Sequence, residues 1–139
     1  MKISIYGHSG SYNHGNEAIV RGICNLFREE KVTLYSFYPD IDKEYLLDRI
    51  CEIKPLFRRY KRFSFQHILI GIWYRLSKSH RLRFRYWFSN FFSSINGIYI
   101  LEAGDQYCEN KYLREFYAYL NNGIRVRGGK TVMLGCTIN

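Results

Sequence analysis

Two short polar clusters carry the residue types that chemistry needs. The first is Gly7-His8-Ser9-Gly10-Ser11-Tyr12-Asn13-His14-Gly15-Asn16-Glu17-Ala18-Ile19. Its glycines permit tight turns and close backbone approach, and a helix start offers unpaired N–H groups and a positive dipole end. That combination suits an anion or a polar ligand. The spacing of Gly7, Gly10 and Gly15 is not G-x-G-x-x-G, and no Gly-Lys-Ser/Thr follows, so neither common nucleotide loop is present. Glu17, in the first helical turn, suits the dipole as a cap as well as it suits a substrate contact. The second cluster is Glu102-Ala103-Gly104-Asp105-Gln106-Tyr107. Here Asp105 is the candidate catalytic residue, since an exposed carboxylate accepts strongly from hydroxyl groups. It could equally cap a turn. Tyr107 can stack on a ring or pack. His8 and His14 can donate protons or hold phosphate, although loop histidines are commonly just solvated. No histidine or carboxylate pair stands at metal-ligand spacing, and no Ser-His-Asp or Cys-His set stands out.

The elements around these clusters define an α/β domain. Lys2-Ile3-Ser4-Ile5-Tyr6 reads as a short central strand. The helix after the loop, starting near Asn16, places Ile19, Ile23, Leu26 and Phe27 on one face. Lys31 to Phe37 is a second strand, broken by Tyr38-Pro39-Asp40. Asp42 is placed as the cap of a short helix from Lys43 to Ile50. Cys51 to Leu56 is a third strand, kept near an edge by Pro55. Ile98 to Leu101 forms the next core strand. A helix carrying Tyr112, Leu113, Phe116, Tyr119 and Leu120 follows, with Asn122-Gly123 expected to end it. Thr131 to Leu134 is the last strand. Alternating strands and helices give an open, doubly wound parallel sheet with right-handed crossovers. Ligands bind past the carboxyl ends of such strands. If the first strand and the Ile98 strand are neighbours, both polar turns face one crevice.

The resemblance to a known family lies in these same turns. Gly10-Ser11-Tyr12-Asn13-His14-Gly15-Asn16-Glu17-Ala18-Ile19 resembles the opening Gly-x-x-Asn-x-Gly-(Asp/Asn)-Glu-Ala-Ile of the polysaccharide pyruvyl transferases. The turn at Glu102 to Tyr107 is similar to that family's GGD-x-Y turn. Lys130 to Ile138 is similar to its strand ending in G-C/Q-S-I. The matches occur in order and leave residues 40–95 uncovered. Asn16 replaces the usual Asp, and Ala103 stands where glycine is common.

The resemblance implies a Rossmann-like sheet forming the N-terminal half of a GT-B-like, two-domain transferase. It implies phosphoenolpyruvate as co-substrate, with no other cofactor, and a glycan or lipid-linked oligosaccharide as acceptor. Donor-binding Arg and His residues would lie mostly in a second domain. Residues 1–139 would then be one N-terminal domain, a fragment or truncated product without activity alone. The acceptor side would be Asn13, Gly15, Asn16, Glu17, Gly104, Asp105 and Tyr107, with His8 as a further candidate. Two other readings stand beside it. One is a GT-B-like glycosyltransferase using a nucleotide sugar. The other is a non-catalytic basic module that binds membrane or nucleic acid.

The chain of 139 residues, 47% hydrophobic and 18% aromatic, can build one domain with a real core. Net charge is +9, which favours anionic partners. That charge is concentrated in one segment. From Ile53 to Leu101 there is no Asp or Glu, while ten Lys and Arg residues occur. Within it Phe65, Ile68, Leu69, Ile72, Trp73 and Leu76 stand at i, i+3, i+4, i+7, i+8 and i+11. Phe84, Trp87, Phe88, Phe91, Phe92 and Ile95 repeat that spacing. Two amphipathic helices broken near Ser77 to Ser79 are expected, making a basic aromatic insert at about 54–95. Their stripes are expected to be core or a contact with a neighbouring domain. A membrane-surface role is the sharper alternative, because basic residues around Trp and Phe suit an anionic interface. Nucleic acid ranks last, for lack of any recognition motif. No secretory leader is legible, and the longest apolar run falls far short of the roughly 20 residues of a spanning helix. A cytoplasmic protein, at most touching the inner membrane face, is expected. The cysteines Cys24, Cys51, Cys108 and Cys136 are scattered, as reduced thiols would be.

Overall fold

A computed structural model describes residues 1–58, 63–93, 97–102 and 111–134. Five parallel strands form one open sheet: β1 (Lys2–His8), β2 (Lys31–Ser36), β3 (Glu52–Pro55), β4 (Ile98–Glu102) and β5 (Lys130–Leu134). Their order is β3-β2-β1-β4-β5, the Rossmann order, with the chain reversing direction across the sheet at β1 and β4. The helices are α1 (His14–Leu26), α2 (Pro39–Glu44), α3 (Phe65–Ser77), α4 (Arg81–Trp87), α5 (Ser89–Phe92) and α6 (Lys111–Val126). A 3-10 turn at Leu47–Arg49 precedes β3. Among the described residues, no helix is long and apolar enough to cross a membrane.

The two sheet faces are built from different residues. Alternation along the strands sends Ile3, Ile5, Val32, Leu34 and Ile100 to one side, where α1 covers them with Val20, Ile23 and Cys24. The same alternation sends Tyr6, Tyr35, Tyr99 and Leu101 to the other side. There α4, α5 and α6 add Phe84, Phe88, Phe91, Phe116 and Leu120. The second face is a lattice of edge-on and tilted rings, such as Tyr35–Phe91 with centroids 4.8 Å apart and Phe88–Phe116 at 5.1 Å.

Several local expectations are corrected. Helix α1 begins at His14, because Asn13 caps it: the Asn13 side chain accepts from Gly15 N. Asp42 does not cap a following helix. It lies inside α2, fully buried, because its carboxylate is drawn to the end of β1. Asn122-Gly123 does not end α6, which runs on to Val126. Gly123 instead lets the helix approach Phe92, whose ring would meet an added Cβ at 2.3 Å. The turn falls to Gly128, at φ +82. The second aromatic stripe is broken at Phe88 into α4 and α5: Phe84, Phe88 and Phe91 are core, Trp87 and Phe92 pack against them, and Ile95 lies outside the described residues. The first stripe is not core: Phe65 and Leu76 are 73% and 80% exposed.

Candidate functional site

The site forms at the carboxyl ends of β1 and β4, which are hydrogen-bonded neighbours. Regular alternation would turn His8 toward the aromatic face, with Ser4 and Tyr6. An irregularity in the β1–β2 register between Ile5 and His8 prevents this, with Gly7 at φ +85. Gly7 is also close-packed, since an added Cβ would meet Leu101 Cδ1 at 2.6 Å and the Glu102 carbonyl oxygen at 2.9 Å. Glycine is therefore required here twice over, by conformation and by space.

His8 is fully buried between two carboxylates. Its Nδ1–H donates to Glu102 Oε2 at 2.6 Å, and its Nε2–H donates to Asp42 Oδ1 at 3.0 Å, with Ser11 Oγ at 3.2 Å. Glu102 is the last residue of β4, two places past Ile100 on the same face. Asp42 arrives from α2, which Pro39 starts. The Asp42 Oδ1 atom also accepts from Ser11 N at 3.0 Å and from Ser11 Oγ at 2.7 Å. Burial alone would strip the proton from His8. The hydrogen bonds and charges of Asp42 and Glu102 outweigh it and raise the imidazole to about 9. For Asp42, burial opposes ionisation, but bonds from His8, Ser36 and Ser11 prevail and hold its pKa below the ordinary value. For Glu102, burial prevails and its pKa rises. The result is a buried imidazolium clamped at both nitrogens. Among the described residues, Asp42 Oδ2 and Glu102 Oε1 meet no hydrogen-bond partner.

This cluster decides what the glycine-rich loop can do. The Ser11 amide is taken by Asp42. The Asn13 amide donates to Gly10 O, the Gly15 amide to Asn13 Oδ1, and the Glu17 amide to Asn13 O. Three loop amides, those of Ser11, Asn13 and Gly15, are thus satisfied internally, one of them by a carboxylate, while the Glu17 amide makes the ordinary helical bond. The loop's outer surface carries Asn13, Gly15 and His14, all exposed, and Asn16, whose side-chain Nδ2 donates to Ser9 Oγ at 2.7 Å. Glu17 pairs with Arg21 at 2.8 Å and with His14 at 3.3 Å, and the Arg21 bond holds its pKa low. Arg21 also donates to the Tyr45 carbonyl oxygen, tying α1 to the end of α2. Beside the loop, the exposed rings of Tyr12 and Tyr38 meet edge to face at 6.2 Å. Past the ends of β2 and β3 lies a groove lined by Ser36, Phe37, Lys43, Phe57, Arg58 and Asn90.

His8 is thus not a solvated loop residue, as its sequence context suggests. The bulge at Gly7 turns it inward, where two carboxylates hold it. Asn13, Gly15, Asn16 and Glu17 do come together at the start of α1, the first two exposed and the last two half-buried. Gly104, Asp105 and Tyr107 lie outside the described residues, as do Cys108 and Cys136; Cys24 and Cys51 are buried free thiols. Sequence reasoning missed Asp42 and Ser11 as site residues. The only signal for Asp42 was an acid just past the end of a strand, in a run shared by Asp40 and Glu44. Among the described residues, no group of His, Cys, Asp and Glu is arranged to hold a metal ion. No protein-family model, curated protein or solved structure matches the chain.

Proposed function

We propose that the chain is the acceptor-binding domain of a transferase resembling the polysaccharide pyruvyl transferases, in a GT-B-like arrangement. One observation carries this reading. The glycine-rich loop follows the carboxyl end of β1, beside the carboxyl end of β4 at Glu102, and the amides of Ser11, Asn13 and Gly15 are already occupied. A strand end with several backbone donors taken up internally, and with side-chain amides, carboxylates and an exposed tyrosine pair, suits hydroxyl-rich ligands.

In the proposed reaction, one sugar hydroxyl adds to the central carbon of phosphoenolpyruvate as the methylene carbon gains a proton. A second hydroxyl displaces phosphate from that carbon, and its proton leaves with the phosphate or a base. The product is a pyruvate ketal. Asn13, Asn16, Glu17 and Asp105 would grip the two hydroxyls, Gly104 and Tyr107 would shape the neighbouring turn, and Tyr12 and Tyr38 would flank the ring. His8 would hold the loop rather than touch the sugar. Cations for the donor's phosphate and carboxylate would come from elsewhere.

The test is an NMR titration of the labelled chain with methyl hexosides and N-acetylhexosaminides, phosphoenolpyruvate, and nucleotide sugars. At least one glycan should shift the amides of residues 9–17 and of Tyr38. Phosphoenolpyruvate should leave them in place, and no phosphate should be released from it with glycan present. Shifts at the loop from phosphoenolpyruvate or a nucleotide sugar, with none from any glycan, would overturn the reading.

A further inference from the structure

Helix α3 packs against the domain with its weaker face. His67, Ile70 and Tyr74 lie inward, with Ile70 buried. Arg83 of α4 ties the helix down, its guanidinium lying 5.3 Å from the Tyr74 ring and 5.5 Å from that of Trp87. The stronger apolar stripe points away from the protein. Phe65, Ile68, Leu69, Ile72, Trp73 and Leu76 fall on one side at helical spacing, and each is about half exposed or more. Six large side chains in one row are more than the scattered apolar residues of an ordinary surface.

The surroundings of the stripe are basic. Arg75 and Lys78 stand at the end of α3, Arg81 and Arg85 on α4, and Arg58 after β3, all exposed. No acidic residue occurs between positions 53 and 101. Glu115 of α6 shares a groove with Lys78 and Arg81 and is the acid that faces this group across it. We propose that α3 lies in the surface of an anionic membrane, its Phe, Trp and Leu side chains entering the headgroup boundary and its flanking cations meeting lipid phosphate or carboxylate.

Charge complementarity selects this occupant over the others. A second copy of the chain meeting the same face would bring like charges together without compensating acids. A nucleic acid would meet the cations but not six apolar side chains. A helix of 13 residues with one apolar and one packed face cannot span the bilayer but can lie flat in its surface.

The test is co-sedimentation and tryptophan fluorescence with vesicles of phosphatidylcholine alone or with 30% phosphatidylglycerol. The chain should bind the anionic vesicles at least about tenfold more tightly than the neutral ones. Binding should fall steeply as salt rises, and Trp73 emission should shift to the blue. Phe65→Ser with Leu76→Ser should cut binding about tenfold or more while leaving the circular dichroism spectrum unchanged. Arg75→Glu with Lys78→Glu should remove the preference for anionic lipid. Equal or absent binding to both vesicle types would overturn the proposal. So would concentration-dependent dimerisation abolished by Phe65→Ser with Leu76→Ser, or tighter binding to oligonucleotides than to vesicles. None of these readouts depends on sugar binding, so each proposal stands or falls alone.

Discussion

Two stretches of this chain carry the same apolar spacing and meet opposite fates. In α4 and α5, Phe84, Phe88 and Phe91 are buried against Tyr99, Phe116 and Leu120. In α3, the corresponding row faces solvent and the helix packs through Ile70 and Tyr74. The difference comes from what each row can reach. The α4–α5 rows meet a sheet face made of tyrosines and a helix, α6, that opens space for Phe92 at Gly123. The α3 row has no such surface opposite it among the described residues. Periodicity states that a helix has an apolar side; it does not state what that side meets.

Four substitutions probe this contrast. The largest effect belongs to Phe88→Ala, which removes a fully buried ring from the middle of the aromatic layer. It should lower stability by about 3–5 kcal/mol in chemical denaturation. Leu76→Ala on α3 should change it by no more than about 0.5 kcal/mol, because that side chain is mostly exposed. Equal losses would mean that α3 is packed in solution. A glycine pair comes next. Gly123→Ala inserts a methyl into the Phe92 ring and should destabilise by about 1–3 kcal/mol, against the usual helix preference for Ala. Gly71→Ala, with nothing within 4 Å, should show that preference unopposed and stabilise by up to about 1 kcal/mol. Thermal melts of the two variants should move in opposite directions.

Much of the fold was legible in the residues, and the reasons are local. Short apolar runs bounded by turn signals marked β1, β2 and β4, and Pro55 placed β3 at an edge, where it is. The pairing of β1 with β4 stood only as a condition in the residues, and the sheet meets it. What escaped was set by contact at a distance. Gly123 looked like a helix stop, but it answers to a ring 31 positions earlier. His8 looked solvated because a single glycine, Gly7, reverses the direction its side chain takes. Asp42 looked like a cap, since nothing near it in sequence announces a partner 34 residues away. Of the site itself, the polar helix start from Asn13 to Glu17 was legible, and the buried charges beside it were not.

An internal ion cluster of His8, Asp42 and Glu102 holds the loop at Ser11 and links its charges to stability. His8 is raised from 6.5 to about 9, so its contribution is fully present below 6.5 and is lost as pH rises through about 9. The loss is on the order of 3 kcal/mol. Asp42, held low, contributes above the ordinary carboxylate range and loses that contribution as pH falls through its folded value. Glu102, raised, runs the other way and favours the folded state only while protonated. The most direct measurement is the titration of the His8 ring nitrogens by long-range nitrogen–proton NMR. Both nitrogens should stay protonated past pH 8, with a midpoint near 9. A midpoint near the ordinary 6.5, or a neutral ring at pH 7, would contradict the claim.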